Sequence, residues 1–60
     1  MKGEVIEIKD QGVAWVYFKY IGYYPMKFEL SDAISPGDTV RTSELIEKDG
    51  ISYVNFVEKV

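Results

Sequence analysis

Residues 13–20 read Val-Ala-Trp-Val-Tyr-Phe-Lys-Tyr, and this segment decides the fold class. Most of its residues are aromatic or β-branched, and only Ala14 and Lys19 favour a helix. The turn signal Asp-Gln-Gly precedes it at residues 10–12, and the Ile-Gly pair at residues 21–22 ends it. The pattern predicts a long β-strand that follows a tight hairpin.

Side chains of this strand should alternate between two faces. The more apolar set is expected to face the core and consists of Ala14, Val16, Phe18 and Tyr20. The other set is expected in solvent and consists of Trp15, Tyr17 and Lys19. The alternative is that the rings of Trp15 and Tyr17 pack beneath a loop of so small a domain.

The segments on either side of residues 13–20 predict four more strands. Residues 3–9 are expected to form the first strand. Residues 26–30 are expected to form the third, with Pro25 at its start. Residues 39–47 and 51–57 form the fourth and fifth, joined by an Asp-Gly hairpin at residues 48–50. Residues 31–34 begin with good helix caps but are soon stopped by Pro36, which predicts one short 3₁₀ or helical turn.

The expected fold is therefore all-β, a single domain over residues 1–60 that forms a small five-stranded antiparallel barrel. Val40 and Leu45 fall on opposite alternation parities, so a bulge or bend is expected between them in strand four if both point inward. Closing a small barrel requires such a bend. Residues 58–60 are expected to fray.

Composition excludes several functional classes. Cysteine and histidine are both absent, which removes disulfides, the common zinc sites and Cys–His or Ser–His nucleophile pairs. Acidic residues are scattered over turns and strand exteriors, and no glycine-rich phosphate loop occurs. We expect no enzymatic activity, no cofactor and no metal. The longest apolar run, residues 13–18, is far short of the ~20 residues that span a bilayer, so we expect a cytoplasmic protein without a membrane partner.

Charge and aromatic residues are unevenly distributed. The formal net charge is −3, yet residues 9–28 carry three lysines against one aspartate. Seven of the nine aromatic residues fall in the same stretch. Exposed rings beside lysines are typical of single-stranded nucleic-acid binding, in which bases stack on rings and ammonium groups contact phosphates. The candidate cations are Lys9, Lys19, Lys27 and Arg41.

Several segments resemble two related families of oligonucleotide/oligosaccharide-binding (OB) barrels, the cold-shock domain and the S-one-type RNA-binding domain named after a ribosomal protein. Residues 1–5 (Met-Lys-Gly-Glu-Val) resemble a cold-shock start, and residues 3–12 resemble the first strand and turn of the S-one type. Residues 28–34, followed by Pro-Gly-Asp-Thr-Val at residues 36–40, are similar to a segment shared by both. Residues 48–50 and 54–57 resemble the last hairpin.

The resemblance implies an OB barrel. An SH3-like barrel has similar length and strand content and is the alternative fold, although the turn at residues 31–34 before Gly37-Asp38 favours the OB order. It places Trp15 at a base-stacking position and Val13 where a second ring is usual. Cold-shock domains carry two ribonucleoprotein motifs, on strands two and three, whose rings stack with bases. In the segment that corresponds to the second motif, Lys27 and Glu29 stand where the family has an aromatic residue and a histidine. Glu7 stands where cold-shock proteins carry a surface tryptophan.

The expected function is binding of a single-stranded nucleic acid, RNA or DNA with RNA as the first expectation. The expected binding residues are Lys9, Val13, Trp15, Tyr17, Lys19, Tyr23, Lys27 and Arg41. Tyr23 and Tyr24 are expected in the connection between strands two and three, where they either extend the ring surface or close the barrel end. The rival hypothesis is an acidic protein-interaction or adaptor module that binds a protein partner through the same face. The sequence leaves the oligomeric state open.

Overall fold

The computed structural model describes all 60 residues, which form six strands and one 3₁₀ turn. The 3₁₀ turn (Leu30–Asp32) lies between the third and fourth strands, and no helix is long and apolar enough to cross a membrane. The strands are β1 (Lys2–Asp10), β2 (Val13–Phe18), β3 (Gly22–Lys27), β4 (Thr39–Thr42), β5 (Ile46–Lys48) and β6 (Ile51–Lys59).

Five of the strands close into a barrel. β1 pairs antiparallel with β2 and with β4, β2 pairs with β3, and β4 pairs with β6. A parallel pairing of β3 with β6, through Met26 opposite Val54 and Lys27 opposite Asn55, completes the ring. β5 pairs only with β6 and lies outside the ring. The all-β five-stranded barrel with one 3₁₀ turn is confirmed, but its description as antiparallel is wrong, and a sixth strand is present.

The parallel pair follows from the number of strands. Neighbouring strands in a closed ring can all be antiparallel only if their directions alternate around the whole circle. Five is odd, so at least one neighbouring pair must run in the same direction. The structure places that pair between β3 and β6, which are separated by the 3₁₀ turn, β4 and β5.

The barrel interior is filled by one face of each of its strands. All eight buried apolar side chains lie there or over one end of it, and Thr42 is the only buried polar residue. The apolar core consists of Val5, Ala14, Val16, Phe18, Met26, Ile34, Val40 and Val54. The inward assignment of Ala14, Val16 and Phe18 is confirmed.

The prediction for Tyr20 is wrong, because β2 ends at Phe18. Residues 19–21 form the turn into β3, and Tyr20 has a positive φ of 79°, which interrupts the alternation of a strand. Its ring therefore leaves the barrel and is 89% exposed.

The third strand also starts earlier than predicted. It begins at Gly22 rather than Met26, because the short turn lets Gly22 pair with Phe18 and Tyr24 pair with Val16. Pro25 lies inside β3 rather than at its start. β6 pairs only with Met26 and Lys27, so β3 is an open edge at Pro25, where a missing N–H costs no ladder hydrogen bond.

The predicted fourth strand is interrupted between Val40 and Leu45, although only Val40 is buried and the condition for the expected bend is not met. Its register with β6 shifts between Arg41 and Thr42, and the chain then leaves the ladder before β5 begins at Ile46. The predicted strand is thus two strands, and Leu45 stays 41% exposed in the segment between them.

The expected fraying of residues 58–60 is wrong. Glu58 and Lys59 pair with β4, and the N–H of Val60 donates to the carbonyl oxygen of Thr39 at 2.9 Å. Arg41 Nη2 lies 3.0 Å from Glu58 Oε2, and Lys59 Nζ lies 3.4 Å from Asp38 Oδ2. These contacts hold the end of β6 against β4.

The Gly3→Ala substitution should destabilise the domain. A Cβ at Gly3 would lie 2.6 Å from Val16 Cγ1 and 2.8 Å from the carbonyl oxygen of Tyr17, so β1 and β2 would have to separate. We expect the free energy of unfolding, measured by urea denaturation, to fall by about 1–3 kcal/mol. Lys2→Ala, at an exposed neighbouring position, should change it by less than about 0.5 kcal/mol. An unchanged midpoint for Gly3→Ala would contradict the close approach of the two strands.

Asp38 should make stability depend on pH in the acid range. The N–H of Ser35 donates to Asp38 Oδ2 at 2.9 Å, and this bond, together with the nearby Lys59, holds the pKa of Asp38 below its ordinary value of 3.8 although partial burial opposes the shift. The stability that the ionised Asp38 carboxylate contributes is complete above the ordinary pKa and is lost as the pH falls through the lowered pKa. Urea denaturation between pH 6 and pH 2 should therefore show a smaller acid-induced loss of stability for Asp38→Asn than for the wild type.

Lys59→Met serves as the intermediate case for that experiment. It removes the attraction of Lys59 for the Asp38 carboxylate but keeps the hydrogen bond from Ser35. Its acid-induced loss of stability should lie between the losses of the wild type and of Asp38→Asn. Equal losses for all three proteins would show that Asp38 has no such role.

Candidate functional site

The outward side chains of β2 and β3 form one surface, which we call the ring face. Its members are cross-strand pairs: Val13 with Lys27, Trp15 with Pro25, and Tyr17 with Tyr23. Trp15 is half-buried and Tyr17 is 39% exposed, whereas Ala14, Val16 and Phe18 between them are buried. The predicted outward orientation of Trp15 and Tyr17 is confirmed.

The expected position of Tyr23 and Tyr24 in the connection before the third strand is wrong, because both lie inside β3 and pair with β2. Their roles differ. Tyr23 is 60% exposed, and its ring centroid lies 5.0 Å from that of Tyr17, with the planes tilted by 54°. Tyr24 points to the other side of the strand, packs against the core and has its centroid 6.5 Å from that of Phe18. Tyr23 therefore extends the ring face, which was one of the two roles considered for this pair. Tyr24 helps to close the barrel, which was the other.

Two lysines lie over aromatic rings near one end of the ring face. Lys9 Nζ is 4.9 Å from the centroid of Trp15, and Lys27 Nζ is 4.2 Å from the centroid of Tyr53 on β6. Such contacts at exposed sites are worth about 0.5–1 kcal/mol, whereas a base stacked on an aromatic ring is worth about 1–3 kcal/mol. A base can therefore displace the ammonium group from the ring, which leaves that group free to bind the phosphate beside the base.

A groove of about 300 Å³ lies between the ring face and the β5–β6 hairpin. We call it the hairpin groove. Its volume is at the lower end of the range of small-molecule sites, which suits a single flat ring. Two of its walls carry ammonium groups, those of Lys27 and Lys48. The lining residues are Val13, Pro25, Lys27, Lys48, Asp49, Ile51 and Tyr53.

Charge is unevenly distributed around the ring face. On the β1 side, Glu7 lies opposite Trp15 and Glu4 lies opposite Tyr17. The cations Lys9, Lys27 and Lys48 are instead near the end of the face that holds Val13 and the hairpin groove. Two carboxylates lie at that end as well, since Asp10 is opposite Val13 and Asp49 lines the hairpin groove. The three lysines therefore give that end a small positive excess, whereas the β1 side of Trp15 and Tyr17 carries Glu7 and Glu4.

Two predicted cations do not join this group. Lys19 lies in the turn after β2, at the far end from Val13, with its Nζ 5.3 Å from the ring centroid of Tyr20. Arg41 lies on β4, whose neighbours are β1 and β6, and it forms an ion pair with Glu58. The structure thus brings together Lys9, Val13, Trp15, Tyr17, Tyr23 and Lys27 among the predicted residues.

The sequence analysis missed the contribution of the β5–β6 hairpin. Alternation with the buried Val54 could have placed Tyr53 on the outside of its strand, and the Asp-Gly turn marks the tip next to Lys48. Nothing in the sequence pattern indicates that this hairpin lies beside β3, because the parallel pairing joins segments more than 25 residues apart.

Likeness to known proteins adds nothing to this geometry. Comparisons of the chain with protein-family models, with curated proteins and with solved structures find no match. No group of three or more acidic side chains is arranged to hold a metal ion. The ring face and the hairpin groove are therefore the features from which a function has to be inferred.

Proposed function

We propose that the chain is an OB-type domain that binds single-stranded nucleic acid, RNA in preference to DNA, through the ring face and the hairpin groove. OB barrels bind oligonucleotides on the face of their second and third strands, between the loop that joins strands one and two and the loop that joins strands four and five. The ring face lies on β2 and β3. β5 and the turn after it form the connection between β4 and β6, which are the fourth and fifth strands of the barrel. This strand order supports the proposal.

The observation that carries the proposal is the position of Lys9 over Trp15 at the edge of the ring face. A half-buried indole is held in place by its strand, yet keeps a face for stacking. The ammonium group above it is within reach of the backbone phosphate of any base that stacks there. Lys27 and Tyr53 repeat the arrangement next to the hairpin groove.

The proposed mode of binding uses stacking for affinity and few ion pairs. One base stacks on Trp15, and Lys9 moves from the indole to the adjoining phosphate. A second base occupies the hairpin groove against Tyr53, with Lys27 and Lys48 at its phosphates. Glu4 repels a phosphate backbone from the part of β1 beside Tyr17. The nucleic-acid strand therefore crosses β2 and β3 near Val13, where Lys9, Lys27 and Lys48 lie.

Trp15→Ala should weaken binding of a fluorescein-labelled single-stranded RNA octamer by about tenfold or more, because one stacked base is worth about 1–3 kcal/mol. Fluorescence anisotropy at low ionic strength measures the Kd. Trp15→Phe keeps an aromatic face and should lose less than Trp15→Ala. Thermal melts of both variants check that the domain remains folded.

The intrinsic fluorescence of the wild type gives an independent readout, since Trp15 is the only tryptophan. Stacking should change its emission during titration with unlabelled RNA, and the same DNA sequence should bind more weakly. An emission that is unchanged at saturating RNA, with no anisotropy change for the labelled octamer, would refute the proposal.

Salt should weaken binding modestly, and Lys27 should account for part of the effect. Three phosphate contacts, by Lys9, Lys27 and Lys48, predict a slope of log K against log salt of about −2 for a single strand. Lys27→Met should make the slope shallower by about 0.7. Arg41→Met is the matched control: it lowers the net charge by the same one unit, but from an ion pair away from the ring face, and should leave the slope unchanged. Equal effects of both variants would contradict a local contact at Lys27.

One observation favours a variant of the rival, a protein-interaction module that binds its partner at the turn after β2 instead of through the ring face. At the turn between β2 and β3, Tyr20 is 89% exposed and Ile21 is 48% exposed, and the positive φ of Tyr20 is unusual for so large a side chain. Exposed aromatic and aliphatic side chains are enriched at protein contacts. Under this hypothesis, Tyr20→Asn would abolish capture of a nuclease-resistant partner, whereas Trp15→Ala would not. Under the nucleic-acid proposal, Trp15→Ala weakens RNA binding and Tyr20→Asn does not.

A further inference from the structure

A second cavity adjoins the hairpin groove on the other side of Lys27. It has a volume of about 320 Å³ and lies where the 3₁₀ turn meets β6. We call it the turn pocket. Its lining consists of Lys27, Phe28, Glu29, Asp32, Asn55 and Phe56. Because Lys27 borders both cavities, a strand bound in the hairpin groove can continue into the turn pocket without leaving the surface.

The chemistry of the turn pocket differs from that of the hairpin groove. Phe28 and Phe56 are half-buried and offer apolar walls to a flat ring. Asp32 is also half-buried, and its Oδ2 accepts a hydrogen bond of 2.8 Å from the N–H of Glu29, which orients the carboxylate. Glu29 adds a second carboxylate at the rim. The lining of the turn pocket thus holds two carboxylates and a single ammonium group, that of Lys27.

Asn55 completes the set of polar groups. Its N–H donates to Ser43 Oγ at 2.9 Å, and its carbonyl oxygen accepts from the N–H of Ser43 at 2.8 Å, which holds the backbone in place. Its side-chain amide makes no hydrogen bond within the chain and is exposed. It can therefore donate to a ligand carbonyl beside the carboxylates.

We infer that the turn pocket is a base-specific subsite that selects guanine, an inference that rests on the proposed function. The Watson–Crick edge of guanine carries two adjacent donors, N1–H and N2–H, followed by the acceptor O6. Carboxylates accept from the two donors, and the Asn55 amide or Lys27 donates to O6. Uracil has one donor between two acceptors, and cytosine and adenine each place a ring-nitrogen acceptor next to their single amino group, so each of these bases would bring a lone pair against a carboxylate.

The selectivity is tested with two labelled RNA octamers, one of uridine alone and one with a single central guanosine. Anisotropy titrations of the wild type should give about tenfold tighter binding of the guanosine-containing RNA, within the ~1–3 kcal/mol of a good bidentate contact. The double variant Glu29→Gln with Asp32→Asn should lose this preference while still binding the uridine octamer. Asn at position 32 keeps an acceptor for the N–H of Glu29, so the turn should persist.

The matched control is Glu44→Gln with Glu47→Gln, which makes the same change in net charge at exposed positions outside both cavities. It should keep the tenfold preference. A second readout is the side-chain amide signal of Asn55, the only asparagine in the chain. Guanosine monophosphate should shift this signal in the wild type, and uridine monophosphate should shift it less, with the signal of Gln11 as the internal reference.

The outcomes separate this inference from the proposed function. Equal Kd values for the two RNAs, or a preference that survives in the double variant, would overturn guanine selectivity and leave nucleic-acid binding intact. Binding of neither RNA would overturn both. Binding of a lysine- and arginine-rich octapeptide in place of either RNA would likewise overturn both, because the carboxylates would then serve a basic protein partner.

Discussion

The parallel pairing of β3 with β6 is the contact on which the remaining structure depends. It involves only two residue pairs, Met26 with Val54 and Lys27 with Asn55. The first pair points inward, where both side chains are fully buried, and closes the core. The second pair points outward. Lys27 borders both the hairpin groove and the turn pocket, and Asn55 borders the turn pocket. One short ladder therefore closes the barrel and also assembles the candidate site, so the two cannot be altered independently at this position.

The proposed ligand is anionic although the chain is acidic, and the candidate site places most of its lysines away from Glu4 and Glu7. Glu4 and Glu7 flank the ring face on β1, while Lys9, Lys27 and Lys48 lie near its other end. Two of these lysines lie over aromatic rings, so their ammonium groups are partly satisfied before any ligand arrives. Stacking rather than charge would then provide most of the affinity, since the lysines are few and the rings are many. Such a domain would bind weakly to duplexes, whose bases are not available for stacking.

Much of the fold could be predicted from local patterns, and the errors have common causes. The predicted inward and outward orientations of the β2 side chains were correct from Ala14 to Phe18, because alternation is a property of the strand itself. Tyr20 was misplaced since a turn with positive φ ends the alternation, and β3 was misplaced since its start depends on how tightly that turn closes. The end of β6 is ordered by Asp38 and Arg41, which are far away in sequence. Local pattern carries no information about such partners.

Local sequence patterns were sufficient to predict that the chain is all-β, that Trp15 and Tyr17 lie on the face opposite the core, and that lysines accompany the rings. Those properties follow from composition and from the two-residue period of a strand, which act within a few residues. Only the tertiary structure decided which strands become neighbours around the ring. That choice brought Lys48 and Tyr53 beside Lys27, placed Asn55 next to Glu29 and Asp32, and left Arg41 on another side of the barrel. The physical reason is that barrel closure satisfies backbone hydrogen bonds between segments remote in sequence, and no local preference specifies which segments these are.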